Sequence, residues 1–177
     1  MTPSLDKNLS PQEVKFEDAH LKKIFLEHLN SIYCGKQHLI HFFEEIKELA
    51  TLQYLKNAIQ DCSDEAENQM VHIDGIFNAI GEDQSKISVL GMKAMTLEAY
   101  ITAIRSGKTP MERDVFIVFY LQLVEGIEVT YFKVLKNLAK AIGYSNTFLD
   151  KPFNQAVEDK LMFEGIYKEY IARPSVG

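Results

Sequence analysis

Hydrophobic residues recur along this chain three and four residues apart, in four long stretches divided by short polar or glycine-containing breaks. From Asp18, a candidate cap, to Leu49, the apolar stripe is Leu21, Phe25, His28, Ile32, Gly35, Leu39, Phe42, Ile46 and Leu49. The polar face opposite carries Glu27, Gln37, His38, His41, Glu45 and Glu48. Almost no linker follows. Thr51 is placed to cap a second helix, whose stripe Leu52, Leu55, Ile59, Cys62, Ala66, Gln69, Ile73, Ile76 and Ile80 ends at Gly81, a suitable C-terminal stop. So short a join predicts an antiparallel pair. Residues 82–109 hold one short amphipathic piece, about Val89 to Ile104, ended by Ser106-Gly107. Thr109-Pro110-Met111-Glu112 has the spacing of a capping box with proline at the first helical position, and it opens a third long helix. Gly143 stops that helix, and a brief connection leads to Pro152 and a fourth, running to about Ile171.

The third long helix organises the rest. Residues 112–142 are apolar almost all round. One stripe runs Ile117, Leu121, Val124, Glu128, Tyr131, Leu135, Leu138 and Ile142; its neighbour runs Val118, Leu121, Glu125, Glu128, Phe132 and Leu135. A helix this apolar is expected to be wrapped by other helices. Glu125 and Glu128 on its inner face then require a metal, a cation or protons, because a bare buried carboxylate is too costly. The order of elements predicts an all-α, ferritin-like up-down four-helix bundle, with one long crossover between the second and third long helices that contains a short helix. Residues 18–172 form the bundle in this reading, 1–17 an N-terminal arm with a further capping-box spacing at Ser10 to Glu13, and 173–177 a tail.

Composition narrows the function. A chain of 177 residues, 46% apolar and 25% charged, fits one soluble domain. A net charge of −6 argues against a nucleic-acid partner, which would want a basic face. No charge-free apolar run reaches membrane-span length and no signal-peptide pattern opens the chain, so a cytoplasmic protein with no membrane partner is expected. Cys34 and Cys62 lie offset by about five residues along the antiparallel pair, roughly 7.5 Å at 1.5 Å per residue, a poor geometry for a disulfide. No Gly-rich phosphate loop, nucleophile elbow or Cys-x-x-Cys is present.

Several segments resemble the YciE/YciF family of ferritin-like proteins. They are Leu26-Glu27-His28-Leu29-Asn30-Ser31-Ile32-Tyr33, Glu65-Ala66-Glu67-Asn68-Gln69, Ile76-Phe77-Asn78-Ala79-Ile80-Gly81, Gln122-Leu123-Val124-Glu125-Gly126-Ile127-Glu128 and Leu138-Ala139-Lys140-Ala141-Ile142-Gly143. The resemblance spans about residues 20–170 and implies a rubrerythrin-related four-helix bundle, associated with stress and often dimeric. Glu65, Gln69, Glu125 and Glu128 fit the family's pattern; Glu158 and Asp159 keep part of its fourth-helix acidic run. Two positions depart from it. Lys36 stands where the family usually has glutamate, and Gly126 where it tends to have histidine.

A di-iron or di-manganese centre in such a bundle draws a glutamate from two helices and Glu-x-x-His from the other two. The second, third and fourth long helices contain no Glu-x-x-His. They offer Glu65, Glu125, Glu128 and Glu158 as candidate ligands, with Gln69 and His72 as supporting residues around them. A turn centred between Ala50 and Thr51 places Lys36 and Glu65 at one height, so the Lys36 ammonium is the candidate replacement for a metal's charge. His38, His41 and Glu45 share a face that could hold surface zinc, though a solvated polar face accounts for them equally well. Two functions are therefore carried forward. The first is a non-catalytic, stress-associated structural or interaction protein, a homodimer with a degenerate di-metal site and no cofactor. The second is a metal-dependent oxidase or iron-handling protein using iron or manganese.

Overall fold

The structure, a computed structural model, describes residues 17–105, 107–145 and 147–172. It contains α1 (Asp18–Leu49), α2 (Gln53–Ile80), α3 (Leu90–Ile104), α4 (Pro110–Ala141) and α5 (Asp150–Ala172), with one 3-10 turn, Thr147–Leu149, ahead of α5. α1 packs on α2, α4 on α5 and α1 on α4, while α2 meets α5 more sparingly; α3 lies across α4 and α1. This is the all-α four-helix bundle with a helical crossover that the spacing predicts.

Helix ends follow local chemistry. Thr109 and Glu112 form the capping box: the Glu112 amide donates to Thr109 Oγ1 at 3.2 Å, and the Thr109 amide donates to Glu112 Oε2 at 2.6 Å. Gly81 closes α2 at φ 68°, a left-handed conformation that glycine adopts without a Cβ penalty. Two expected caps are corrected. Glu17 rather than Asp18 occupies the N-cap of α1, and Leu52 rather than Thr51 that of α2; neither uses a side-chain cap bond. Just ahead of α2, Asp114 of α4 fixes the chain by accepting from the Thr51 and Leu52 amides at 2.8 and 3.0 Å. The Ser10 capping box lies outside the described residues.

The core divides in two. One cluster gathers Leu39, Phe43, Ile46, Leu55, Ile59, Leu121 and Phe163; the other gathers Phe25, Leu29, Ile32, Ile73, Phe77, Phe132 and Leu135. On each of the four bundle helices, the residues between the two clusters are polar and buried: Lys36, Gln69, Glu125 with Glu128, and Asp159. The apolar core is thus interrupted by one layer of polar side chains near mid-height.

α4 is not wrapped on every side. Phe116, Phe119 and Leu123 remain about two-fifths exposed. Leu90, Leu97, Ile101 and Ile104 make an exposed stripe on α3, opposite its buried face of Met92, Thr96, Ala99 and Ala103. By length and composition α4 is apolar enough to cross a membrane, with an 18-residue window of mean hydropathy 1.5. Here it packs against α1, α3 and α5 and carries three carboxylates, Asp114, Glu125 and Glu128, on its buried face.

Candidate functional site

The polar layer draws on all four bundle helices. Lys36 of α1 is 3% exposed, and its ammonium forms an ion pair with Oε2 of Glu128 on α4. Burial alone would push this ammonium toward neutrality. The Glu128 and Glu125 carboxylates outweigh that effect and hold its pKa above the ordinary lysine value. Glu125 is 1% exposed; burial first, and the Glu128 charge second, raise its pKa well above the carboxylate range. Asp159 of α5 is raised to about 6, chiefly by burial, against the opposing effect of Gln155. The Gln155 amide donates to Asp159 Oδ1 at 3.0 Å. From α2, Cys62 is buried, and burial together with the Glu125 charge pushes its thiol pKa up.

Hydrogen bonding within the layer is incomplete. Glu125 Oε2, Glu128 Oε1, Glu65 Oε1 and both amide atoms of Gln69 are buried with no partner among the described residues. An unsatisfied buried polar atom costs about 1–3 kcal/mol. The layer is therefore a poor device for stability and a concentrated source of ligand atoms.

The resemblance to ferritin-like proteins implies a pair of iron or manganese ions here, and the residues present are a poor set for one. Lys36 is paired with Oε2 of Glu128, one of the carboxylates that such a pair would need. None of the five histidines joins the buried layer. His72 is exposed and lies 3.3 Å from Lys151 Nζ, so it supports nothing in the layer. The Glu-x-x-His spacing that the chain does contain, Glu17 to His20, sits at the exposed start of α1. Glu158, expected as the α5 ligand, is exposed as well. The buried positions of α5 run Pro152, Ala156, Asp159, Phe163, Ile166 and Tyr170. That spacing leaves Glu158 one residue off the inner stripe, and Asp159 takes the place assigned to it.

Other expected residues fall close to where the spacing puts them. Glu125 and Glu128 are inward and adjacent, Gln69 is buried, and Glu65 is half-buried with one oxygen inside. Lys36 turns to α4 and pairs with Glu128 rather than with Glu65. On the outer face, His38 Nε2 lies 2.7 Å from Thr96 Oγ1 and ties α1 to α3, whereas His41 stays exposed. Both cysteines are free.

A family model for a domain of unknown function, DUF892, matches residues 20–158. The chain belongs to that family. The E. coli stress protein YciF is similar in fold, with a TM-score of 0.82 over 87% of this chain and 98% of that one at 16% identity. YcfI of Rhodopseudomonas palustris, whose description proposes a structural role, superposes with a TM-score of 0.70 over 94% of this chain and 99% of that one at 18% identity. At such identities the likeness speaks for the fold alone. No curated protein matches the chain.

Within this DUF892 bundle, spacing alone undervalued two residues. Cys62 reads as one more small apolar residue in the α2 stripe, but it stands one turn before Glu65 and its sulfur joins the carboxylates of Glu125 and Asp159. Asp114 reads as a surface acid in the first turns of α4. It is fully buried, and besides the Thr51 and Leu52 amides it accepts from the Tyr170 hydroxyl at 3.2 Å. Its signal in the sequence is its place on the inner stripe, three residues before Ile117.

Proposed function

We propose that this protein is a non-catalytic, stress-associated structural bundle of the cytoplasm, in which a lysine of the chain stands in for a di-metal centre. The Lys36–Glu128 ion pair carries the reading. A dinuclear oxidase needs two metals bridged by carboxylates, with positions left for oxygen. An ammonium held on one of those carboxylates supplies fixed charge, offers no redox chemistry and repels a second cation at short range. The stress-related description of YciF and the structural one of YcfI support the same assignment.

The test is titration with iron(II) or manganese(II) of wild type and Lys36→Glu side by side. The variant restores the carboxylate usual in YciE/YciF relatives and is expected to gain measurable affinity, weak because no histidine caps the site. Wild type is expected to bind no manganese(II) measurably in the same range. Equal binding of manganese(II) by both, or tight binding by wild type alone, would overturn the assignment.

We also propose self-association as a two-fold dimer. The apolar residues left on α3 and α4, Leu97, Ile101, Ile104, Phe116, Phe119 and Leu123, support it, because a closed symmetric pair is the commonest way to cover such a face. Light scattering at tens of micromolar is expected to give twice the 20.2 kDa chain mass. A monomeric mass would count against the dimer and leave the reading of the polar layer untouched.

A further inference from the structure

We propose that Cys62, Glu125 and Asp159 form a mononuclear site for one thiophilic divalent cation, zinc in chemical class, beside the Lys36–Glu128 ion pair at the middle of the bundle. One ligand atom from each of these residues lies within 4.8 Å of the other two, and the three come from α2, α4 and α5. Zinc binds sulfur at about 2.3 Å and carboxylate oxygen at about 2.0–2.2 Å, so a tetrahedral site wants its ligand atoms about 3.5 Å apart. Closing the set needs only about an ångström of side-chain adjustment. Cys62 and Glu125 are almost fully buried and Asp159 nearly so, which shields the bound ion from competing water.

Two further observations point to a cation. The first is charge. Lys36 is one ammonium facing three carboxylates, Glu128, Glu125 and Asp159. Its pairing with Glu128 leaves the other two with no cation of the chain of their own, and one divalent ion in place of their protons balances both. The second is the orphaned Oε2 of Glu125, buried with no hydrogen-bond donor among the described residues. A metal bond would satisfy that atom. Glu65, one turn after Cys62 on α2, also carries a buried unpartnered oxygen and is the candidate for the fourth position.

The donor set decides which ion. A thiolate with two carboxylates and no imidazole favours zinc and cobalt(II) over the harder manganese(II). The raised pKa of the Cys62 thiol does not forbid this, because a coordinating metal deprotonates its thiol outright. The inference goes beyond the assignment of Lys36: the lysine bars a pair of metals and leaves one place beside it.

Cobalt(II) serves as the probe, since a thiolate ligand gives it a charge-transfer absorption that a carboxylate cannot. Wild type, stripped of metal and titrated, is expected to take up one cobalt per chain with that absorption, and zinc is expected to displace it. Cys34→Ser alters the other cysteine in the chain and is expected to change nothing. Cys62→Ser is expected to abolish the absorption and weaken binding at least about tenfold. Asp159→Asn keeps the thiol and the shape of the layer, so it reads the site even if the Cys62 variant folds poorly; a loss of about tenfold in affinity is expected. No thiolate absorption in wild type, or one that disappears with Cys34 instead of Cys62, would overturn the site. A thiolate site that takes cobalt can also take some iron(II), so the Lys36 assignment is decided by manganese(II), which this donor set disfavours, and the two can fail independently.

Discussion

Lys36→Met is expected to destabilise the bundle by about 3–5 kcal/mol, the range found when one partner of a buried ion pair is removed. Methionine keeps an unbranched chain of similar length, so the change deletes the ammonium with little change in packing. What it leaves behind sets the cost. Glu128 is fully buried, its Oε1 already lacks a partner, and its Oε2 would lose the ion pair. Glu125, one turn away, is a second buried carboxyl group and offers no cation in its place. For a domain of this size each kcal/mol moves the melting temperature by about 2–4 °C, so thermal unfolding should shift down by about 6–20 °C. The double variant Lys36→Met/Glu128→Gln is expected to recover most of the loss, because the orphaned charge goes with its partner. A single variant within about 1 kcal/mol of wild type would mean that the layer is wet and the pair screened, as exposed ion pairs are.

Asp114→Ala is expected to cost about 2–4 kcal/mol, the second largest effect. Its carboxylate accepts three hydrogen bonds, from the Thr51 and Leu52 amides and the Tyr170 hydroxyl, and hydrogen bonds to a charged group contribute about 1.5–3 kcal/mol each. The sum is reduced because Thr51 and Leu52 are themselves exposed, so water can reach their amides after the substitution. The carboxylate also lies at the N-terminus of α2, where the helix dipole favours negative charge. One buried acid on α4 therefore secures the α1–α2 turn and the last turns of α5 together. Asp114→Asn, which retains one acceptor oxygen, is expected to lose about half as much. Equilibrium denaturation of the two variants checks this, and an alanine variant as stable as wild type would show that the turn is held by packing alone.

The two variants separate the roles of the inward acids. Asp114 is fully partnered and serves the fold, whereas Glu125 and Glu128 retain orphaned oxygens and serve the site. A protein selected for stability alone would replace the mid-height layer with apolar side chains. The layer separates two apolar clusters and keeps buried ligand atoms between them.

Much of this was legible in the chain itself. Helical spacing, the Thr109 capping box, Gly81 and Gly143 as stops, and the single long crossover determine four long helices and their order, because those signals depend only on neighbours within a turn or two. Glu125 and Glu128 were legible as inward carboxylates for the same reason: they interrupt an apolar stripe. The height of Lys36 followed from the length of the α1–α2 turn. The spacing of α5 also carries Asp159 inward in place of the expected Glu158, since one residue is a rotation of about 100° on a helix of 3.6 residues per turn. Two things depended on how the helices rotate against one another, which no local spacing encodes. Lys36 sits on the edge of α1 that faces α4, so its partner is Glu128 and not Glu65. Cys62 becomes a possible ligand only because α4 and α5 bring two carboxylates within 4.8 Å of its sulfur. Sequence determined which side chains lie on the inner faces; packing between helices decided which of them meet.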